Sequence, residues 1–363
     1  MLIKQEFIGL WIGCVQLSEV RNYRTLSWRP APRLNVVSGP NAQGKTNLLE
    51  ALGLIITGRS FRTSRLAEIP CWGTEATALA GDLVRGETQR TVRRTLNRLE
   101  DGTWQNTGEA APEWARAIAF GWQDLEIVNG GPVARRNFID GFAGRLYPNH
   151  IATLLRFRQI LARRNRLLQQ RAHDAAQSAK LQPWNEQLAT VGMELLGRRR
   201  KAVAALQTEL ARVYAALSGA RTKVEIRYRT ALGEATEPAA LLAALEHRQR
   251  EEMRRGLTLV GPHRDDLAIE LDGVDARAFG SRGQQRLVAL ALRLAEVLPV
   301  TEAAGTAPVL LLDDALSELD ATVRGHVLRE VQSAEQVFLT TPDTPAVEGA
   351  AIFHVSGGSV TAI

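Results

Sequence analysis

The most informative run in this chain is Val36-Val37-Ser38-Gly39-Pro40-Asn41-Ala42-Gln43-Gly44-Lys45-Thr46-Asn47. It joins a short apolar segment to the pattern G-x-x-x-x-G-K-T, the P-loop that cradles the phosphates of a nucleoside triphosphate. The two glycines let the backbone wrap tightly, so that successive N–H groups face phosphate oxygens. We expect Lys45 to reach the β- and γ-phosphates, and the hydroxyl of Thr46 to hold Mg2+. The sequence therefore predicts ATP binding along the whole loop from Gly39 to Thr46.

The segments on either side of this loop match what a P-loop requires. An apolar strand precedes it, and leucines and isoleucines recur at helical spacing from about Thr46 to Thr57. Such a helix directs its positive N-terminal end at the phosphates. Gly58 is a residue typical of the position just past a helix end.

Composition limits the classes of protein to consider. A chain of 363 residues can form two domains, or one large α/β domain with an insert. The two cysteines, Cys14 and Cys71, exclude a disulfide framework or a cysteine-rich zinc site and suit a reducing cytosol. No apolar run approaches the length of a transmembrane helix, and residues 1–13 do not resemble a signal peptide. We therefore expect a cytoplasmic protein without a membrane partner.

Positive charge is concentrated in the middle of the chain. Residues 151–256 contain 20 lysines and arginines against 10 acidic residues, whereas the remainder contains 25 against 29. A basic segment beside a slightly acidic remainder suggests a negatively charged partner, with nucleic acid as the first candidate. An arginine-rich solvated helical surface is the alternative, and charge alone does not separate the two.

The pattern of apolar residues predicts an α/β unit interrupted by a helical insert. We predict strands at 14–20, 33–38 and 224–228, a β-meander at 76–98 with turns at Gly81, Gly86 and Gly102, and helical structure from Pro112. Helices are predicted within 151–218 and at 238–255, a buried strand at 308–313, and a parallel strand at 336–340. The predicted lobes are residues 1–111 with 257–363, and a mostly helical lobe at 112–256.

A second motif, Leu310-Leu311-Leu312-Asp313-Asp314, is an apolar strand that ends in two carboxylates. Beside a P-loop, the carboxylate of Asp313 would coordinate Mg2+. Asp314 would then be placed to orient an attacking water and accept its proton. We predict that Asp314 and Lys45 are the catalytic residues.

A third motif, Ser281-Arg282-Gly283-Gln284-Gln285-Arg286, precedes a strongly apolar helix. A hydroxyl, a glycine and a helix N-terminus can together bind an anion, although the same group can simply cap its own helix. In ATP-binding-cassette (ABC) enzymes a similar Ser-Gly-Gly-Gln loop binds the γ-phosphate held by the opposite subunit. This chain has the elements of that class in order: the P-loop, this motif, the acidic pair, Ser317-Glu318-Leu319-Asp320, and a strand ending in Thr340-Thr341. That order implies a head-to-tail homodimer with two ATP molecules at the interface.

The chain resembles the RecF family, bacterial recombination mediators of the ABC ATPase class related to SMC heads. The resemblance runs from about Val15 to Thr341 and is carried by the motifs above and by several further stretches. These are Val20-Arg21-Asn22-Tyr23-Arg24, Gly58-Arg59-Ser60-Phe61-Arg62, Gly131-Pro132, Arg135-Arg136-Asn137-Phe138-Ile139-Asp140, Arg163-Arg164-Asn165-Arg166-Leu167-Leu168, and Gly261-Pro262-His263-Arg264-Asp265-Asp266-Leu267.

The resemblance implies an ABC-type head with a mostly helical second lobe, and a weak, DNA-stimulated ATPase that dimerises on ATP. It also implies binding to gapped duplex or single-strand/duplex junctions, in recombinational repair, replication-fork repair and the SOS response near the nucleoid. RecR, and RecO through RecR, would be partners in loading recombinase. By the same resemblance Ser281, Arg282, Gly283 and Gln284 contact the partner copy's nucleotide, and Ser317 and Asp320 form the D-loop.

Two places depart from the family pattern. The P-loop has Ala42-Gln43 where Gly-Ala or similar small residues are usual, but both positions are variable in the pattern and nucleotide binding should survive. The segment Phe120-Gly121-Trp122-Gln123 lacks the usual Ser-Pro after phenylalanine, so Gln123 is its candidate for the Q-loop glutamine. Thr341 is the candidate switch residue. Residues 1–13 precede the family's usual start and would be an extension or a misassigned initiator.

Three other interpretations compete with an ATP-gated DNA clamp. A transporter ATPase would need a membrane partner and gives no reason for the basic insert. A long-armed chromosome-organising ATPase would need a far longer insert, since a two-helix arm from residues 151–256 reaches at most about 80 Å. A DNA scaffold with a vestigial nucleotide site is disfavoured because Lys45, Asp313 and Asp314 are all intact.

Overall fold

The computed structural model describes residues 9–170, 175–219, 222–332, 334–343 and 347–363. Its strands are β1 (Leu10–Val20), β2 (Tyr23–Trp28), β3 (Arg33–Ser38), β4 (Ala76–Arg85), β5 (Thr88–Arg98), β6 (Trp104–Gly108), β7 (Ala117–Phe120), β8 (Val224–Arg229), β9 (Asp266–Leu271), β10 (Val274–Asp275), β11 (Val309–Leu312), β12 (Gln336–Thr341), β13 (Ala351–Ser356) and β14 (Ser359–Ala362).

The helices of the described residues are α1 (Lys45–Thr57), α2 (Leu125–Asn129), α3 (Pro132–Leu146), α4 (His150–Leu168), α5 (Ala175–Ser218), α6 (Pro238–Arg255), α7 (Ala276–Phe279), α8 (Arg282–Leu294), α9 (Val297–Ala304) and α10 (Ala321–Val331). Within these residues, no helix is both long and apolar enough to cross a membrane.

The chain divides into two compact units. The first contains Met1–Leu125, Arg212–Thr222 and Ser281–Ile363, and the second contains Glu126–Ala211 and Lys223–Gly280. The lobe boundaries expected from the sequence, after residues 111 and 256, stay a prediction. The first eight residues of the proposed 1–13 extension lie outside the described residues.

Two sheets build the first unit. One is antiparallel in the order β2-β1-β4-β5-β6, and the other runs β14-β13-β3-β12-β11-β7. In the second sheet β13, β3, β12, β11 and β7 are parallel, and β14 is antiparallel to β13. The predicted parallel pairing of the acidic-motif strand with its successor is therefore confirmed.

Helix α1 is enclosed by apolar residues on nearly all sides. Its leucines and isoleucines join one core cluster with side chains of the antiparallel sheet and with Val309, Leu311 and Phe338 of the parallel sheet. A helix that is apolar all round is a buried helix. The P-loop at its N-terminus is consequently held on a rigid element. Gly58 ends the helix in the left-handed conformation, as predicted.

Two predictions about local structure were wrong. Gly81 does not form a turn, because it lies within β4, opposite Val15 and Val92. A Cβ there would lie 2.7 Å from the side chain of Ile55, so this glycine admits α1 against the sheet. The helical stretch expected from Pro112 is also interrupted by strand β7, whose four residues pair with β11.

The second unit combines helices with a three-stranded antiparallel sheet, β10-β9-β8. Side chains from α4, α5 and α6 form its apolar cluster, including Leu154, Phe157, Leu188 and Leu241. The predicted strand near 224–228 and helix at 238–255 are confirmed. Buried ion pairs cross this unit: Arg164 with Glu252, and Arg199 with Asp140.

Candidate functional site

The P-loop has the strand–loop–helix context that the sequence predicts, between β3 and α1. Gly39 and Gly44 have φ angles of 141° and 111°, which side-chain-bearing residues rarely adopt. A Cβ on Gly39 would lie 2.5 Å from the carbonyl oxygen of Val355, and one on Gly44 would lie 2.4 Å from Asn22 Nδ2. Both positions therefore require glycine.

The turn between β1 and β2 braces the carboxyl end of the loop. The hydroxyl of Tyr23 donates a hydrogen bond to the Gly44 carbonyl (3.0 Å), and Asn22 Nδ2 donates to the Gln43 carbonyl (2.9 Å). Burial raises the pKa of Tyr23, so the phenol stays protonated and able to donate. Sequence reasoning quoted these residues for the family resemblance but gave them no role in the site.

Lys45 is buried at the first position of α1. Its Nζ atom donates to the carbonyl oxygens of Gly39 (2.5 Å) and Pro40 (2.8 Å). Burial lowers the pKa of Lys45, while the negative charges of Asp314 and Asp313 act in the opposite direction. The ammonium group is thus held within the loop, where a phosphate chain could accept from it.

Three hydroxyl and carboxyl groups converge at the carboxyl end of β11. The Asp313 Oδ1 atom accepts hydrogen bonds from Thr46 Oγ1 (2.9 Å) and Thr340 Oγ1 (2.8 Å). Burial raises the pKa of Asp313, and the two threonine hydroxyls oppose that effect. The structure therefore brings together Thr46 and Asp313, the pair predicted to hold Mg2+, from opposite ends of the chain.

Asp314 follows directly and has a different environment. Its side chain is 53% exposed, and its φ of 52° lies in the left-handed region. The main-chain N–H donates to Thr340 Oγ1 (2.8 Å), and its carbonyl accepts from Arg286 Nη2. The Arg286 guanidinium lies 4.0 Å from the Asp314 carboxylate. Main-chain contacts thus fix the residue, while its carboxylate faces solvent. A carboxylate that activates a water molecule must be accessible to water in this way.

These groups line one cavity of about 450 Å³ in the first unit. Its wall contains Lys45, Thr46, Arg62, Arg286 and both carboxylates of the acidic pair. Cationic groups and P-loop amides suit a polyphosphate, and hydroxyl and carboxylate oxygens are the ligands that Mg2+ prefers. The residues present therefore fit MgATP.

Arg62, Arg286 and Thr340 were not predicted as site residues. Arg62 Nη1 donates to Asn47 Oδ1 (2.7 Å) and lies 3.2 Å from Glu50 Oε2. Each of the three lies within a sequence motif described above. Membership of that motif was the sequence signal that could have identified it as a site residue. Thr340, rather than its neighbour Thr341, contacts the Asp313 carboxylate and the Asp314 main-chain N–H. The switch role of Thr341 stays a prediction.

The predicted signature residues do not line this cavity. Ser281 caps α8: its Oγ accepts from the Gln284 N–H (3.2 Å), and Gln284 Oε1 accepts from the Ser281 N–H (2.9 Å). Ser281, Arg282 and Gln284 are exposed, and a Cβ on Gly283 would meet no atom within 4 Å. The helix start is therefore open to an incoming group from outside this cavity.

The remaining predicted residues lie nearby without contacting the carboxylates. Asp320 Oδ1 caps α10 by accepting from the Val323 N–H (2.9 Å), and Ser317 is half-buried in the turn before it. Gln123 Nε2 donates over 3.4 Å to the Arg62 carbonyl. Its neighbour Trp122 lines the cavity and is 64% exposed.

Comparisons with known proteins agree with this geometry. The family model described as AAA domain matches residues 14–195. The chain is 36% identical over 369 residues to the DNA replication and repair protein RecF of Lactobacillus delbrueckii subsp. bulgaricus, with 97% of each chain covered. It is also 36% identical over 341 residues to the protein of the same name from Moorella thermoacetica, covering 91% of this chain and 89% of that relative.

Solved structures show the same fold. A structure of the recombination mediator protein RecF-ATP in the RecFOR pathway matches all of both chains, with a TM-score of 0.88 and 27% identity. The Smc head domain of Pyrococcus furiosus matches 98% of this chain and 96% of its own, with a TM-score of 0.55 and 15% identity. The predicted fold class, an ABC-type ATPase head with α/β architecture, is therefore confirmed.

Proposed function

The chain belongs to the RecF family of DNA replication and repair proteins, and on that premise we propose that it is an ATP-gated DNA clamp. Its fold and its relatives support an ATP-binding ATPase of the ABC class with a role in DNA repair. The finer proposal is that ATP closes two copies into a homodimer on DNA, and that slow, DNA-stimulated hydrolysis releases them. The observation that carries it is the convergence of Thr46, Asp313 and Thr340 beside Lys45.

Each residue of the cavity has a chemical task in this proposal. The P-loop amides and Lys45 neutralise the β- and γ-phosphates, and Arg62 adds positive charge to the same wall. Thr46 and Asp313 would hold Mg2+, which neutralises charge on the phosphate oxygens. Asp314 orients the attacking water and accepts its proton, because its carboxylate is exposed beside the buried Asp313.

Dimerisation explains the position of the signature motif. Ser281, Arg282 and Gln284 are exposed, and with Gly283 they lie outside the cavity of their own copy. In a head-to-tail dimer they would bind the γ-phosphate held by the other copy, with Ser317 and Asp320 beside them. Each copy would then bind nucleotide through its own P-loop, and the γ-phosphate would be enclosed only when two heads close.

DNA is the proposed macromolecular partner. The relative solved with ATP is described as a recombination mediator in the RecFOR pathway. By analogy we propose that this chain binds gapped duplex or single-strand/duplex junctions, cooperates with RecR and through it RecO in loading recombinase, and works in the cytoplasm near the nucleoid. Transfer of these partners to this chain rests on the family.

The test is sedimentation velocity of the protein with and without MgATP and gapped DNA. We expect wild type to sediment as a dimer only with MgATP. The Asp314→Asn variant is expected to stay dimeric, because the carboxylate that accepts the proton from water is lost. Ser281→Arg should bind a fluorescent ATP analogue normally and remain monomeric. A dimer of normal stability in Ser281→Arg would refute the composite site.

A further inference from the structure

Helix α4 differs in charge from every other long helix of the second unit. Its 19 residues include five arginines and no aspartate or glutamate. Helices α5 and α6 of the same unit carry acidic residues among their basic ones. Repulsion within an all-cationic helix is unfavourable, so a charge pattern of this kind suits a helix that meets an anion.

The arginines of α4 divide into one buried and four exposed side chains. Arg164 is fully buried and bound to Glu252, Asn185 and Thr258. Arg156, Arg158, Arg163 and Arg166 are exposed. Within the described residues, none of these four forms an ion pair or hydrogen bond with another side chain.

Three other exposed arginines of this unit are neutralised by acidic neighbours. Arg227 lies against Glu270, and Arg248 and Arg255 both pair with Glu251 at 2.8 Å. Those three side chains are 52% to 61% exposed. Exposure alone therefore does not leave an arginine without an acidic neighbour. Arg250 and Arg254 of α6 are also exposed and form no ion pair within the described residues, but their helix carries three glutamates, whereas α4 carries none.

Three of the four free arginines share one face. At 100° per residue, Arg156, Arg163 and Arg166 fall within an arc of about 80°, centred roughly 140° away from the buried Leu154, Phe157 and Ile160. They span about 15 Å along the helix axis. We call this set the α4 arginine face.

One member of the face is pre-oriented. The Arg163 guanidinium carbon lies 5.5 Å from the ring centroid of Trp184 on α5. Stacking on an aromatic ring reduces the conformational freedom that a long side chain loses on binding, and it leaves the guanidinium N–H groups available. It also occupies one face of the Trp184 ring, which is itself half-buried against the apolar cluster of this unit.

We propose that the α4 arginine face binds the phosphate backbone of duplex DNA. This assignment rests on the proposed function, since it names the surface through which the clamp would hold its DNA. Arginines spread along a helix contact successive phosphates without reading sequence. Single-strand binding surfaces add aromatic platforms for bases, whereas the exposed residues of α4 between Arg156 and Arg166 are arginine, glutamine and alanine.

The experiment measures binding of a fluorescein-labelled 30-base-pair duplex by anisotropy, with MgATP, across a series of salt concentrations. The test variant is Arg156→Gln/Arg163→Gln/Arg166→Gln. Each lost phosphate contact reduces the slope of log K against log salt by about 0.9, so the slope should fall by roughly three. Affinity at 0.15 M salt should fall on the order of a hundredfold.

The matched control is Arg227→Gln/Arg248→Gln/Arg255→Gln, which removes the same charge from three exposed but ion-paired positions. It should keep the wild-type slope to within one unit. An equal loss in both variants would show that only net charge matters and would overturn the assignment. A lysine version of the test variant keeps the positive charge and should retain the wild-type slope, and a slope reduced as in the glutamine variant would overturn the assignment.

Two further measurements distinguish a failure of the α4 assignment from a failure of the proposed clamp function. All variants should keep ATP-driven dimerisation in sedimentation, because the face belongs to the second unit, whereas both nucleotide-binding motifs belong to the first. If wild type itself binds duplex DNA without salt dependence, the proposed clamp fails. If wild type binds with a steep slope and the test variant matches it, only the α4 face is wrong. A larger loss on a single strand than on the duplex would overturn the choice of duplex.

Discussion

Replacing Thr340 with valine removes one hydroxyl that joins the two carboxylate residues of the cavity. Thr340 Oγ1 donates to the Asp313 carboxylate and accepts from the Asp314 N–H, both at 2.8 Å. Valine has nearly the same shape, so the change isolates the hydrogen bonds. A hydrogen bond to a charged group contributes about 1.5 to 3 kcal/mol, and a buried N–H left unpaired costs about 1 to 3 kcal/mol.

These magnitudes predict a substantial loss of activity in Thr340→Val. The two effects share one hydroxyl and do not add fully, so we expect about 2 to 3 kcal/mol of lost transition-state stabilisation. That corresponds to a roughly 30- to 150-fold lower kcat/KM for ATP. The assay is single-turnover hydrolysis with MgATP, with affinity for a fluorescent ATP analogue measured in parallel.

The adjacent residue provides the control. Thr341 is also buried at the end of β12, and its hydroxyl makes no contact with Asp313 or Asp314 among the described residues. Thr341→Val should hydrolyse ATP within about threefold of wild type by this reasoning. Comparable rates in the two variants would refute the role assigned to Thr340. A large defect in Thr341→Val alone would restore the sequence-based switch candidate.

Three further predictions concern the framework around the site. Glu50→Gln should lower the free energy of unfolding in urea by about 2 to 3 kcal/mol, since this 1% exposed carboxylate pairs with two arginines; an unchanged midpoint would contradict this. Burial lowers the pKa of His263 from 6.5 to about 4, so the unfolded chain binds a proton first as the pH falls. Wild type should therefore lose up to about 3 kcal/mol of stability between pH 6.5 and 4, and His263→Gln should lose less over the same range. Gly39→Ala should weaken MgATP binding roughly 10- to 100-fold, because its φ is 141° and its Cβ would meet the Val355 carbonyl, whereas Gly131→Ala, with no atom within 4 Å, should bind normally.

The parts of the site that are contiguous in sequence could be predicted from it. Gly39 to Thr46 carry their whole geometry within one strand, loop and helix, so a local pattern determines where Lys45 points. Asp313 could be predicted for a similar reason. A four-residue apolar strand places the next residue at the carboxyl end of the parallel strands, where the P-loop also lies.

The parts that depend on distant neighbours could not be predicted. Thr340 and Thr341 are equivalent in a sequence pattern, and only the position of β11 beside β12 determines which hydroxyl meets Asp313. Arg286 was interpreted as part of a signature motif, yet its side chain reaches back to Asp314. The strand β7 has only four residues, and pairing with β11 defines it. These contacts join residues that are distant in sequence, so no local sequence pattern indicates them.

The order of strands in the parallel sheet has a consequence for how the protein is made. β3, which leads into the P-loop, pairs with β12 and β13, and these are synthesised about 300 residues later. The other strands of the N-terminal part form a separate antiparallel sheet, β2-β1-β4-β5-β6. This sheet is complete by Gly108 and covers one side of α1. At about 5 to 20 residues per second, the ribosome needs roughly 15 to 60 seconds to supply the neighbours of β3. During that interval the antiparallel sheet can fold while the nucleotide cavity lacks its acidic wall, so a nascent chain can complete one sheet well before it can complete its ATP site.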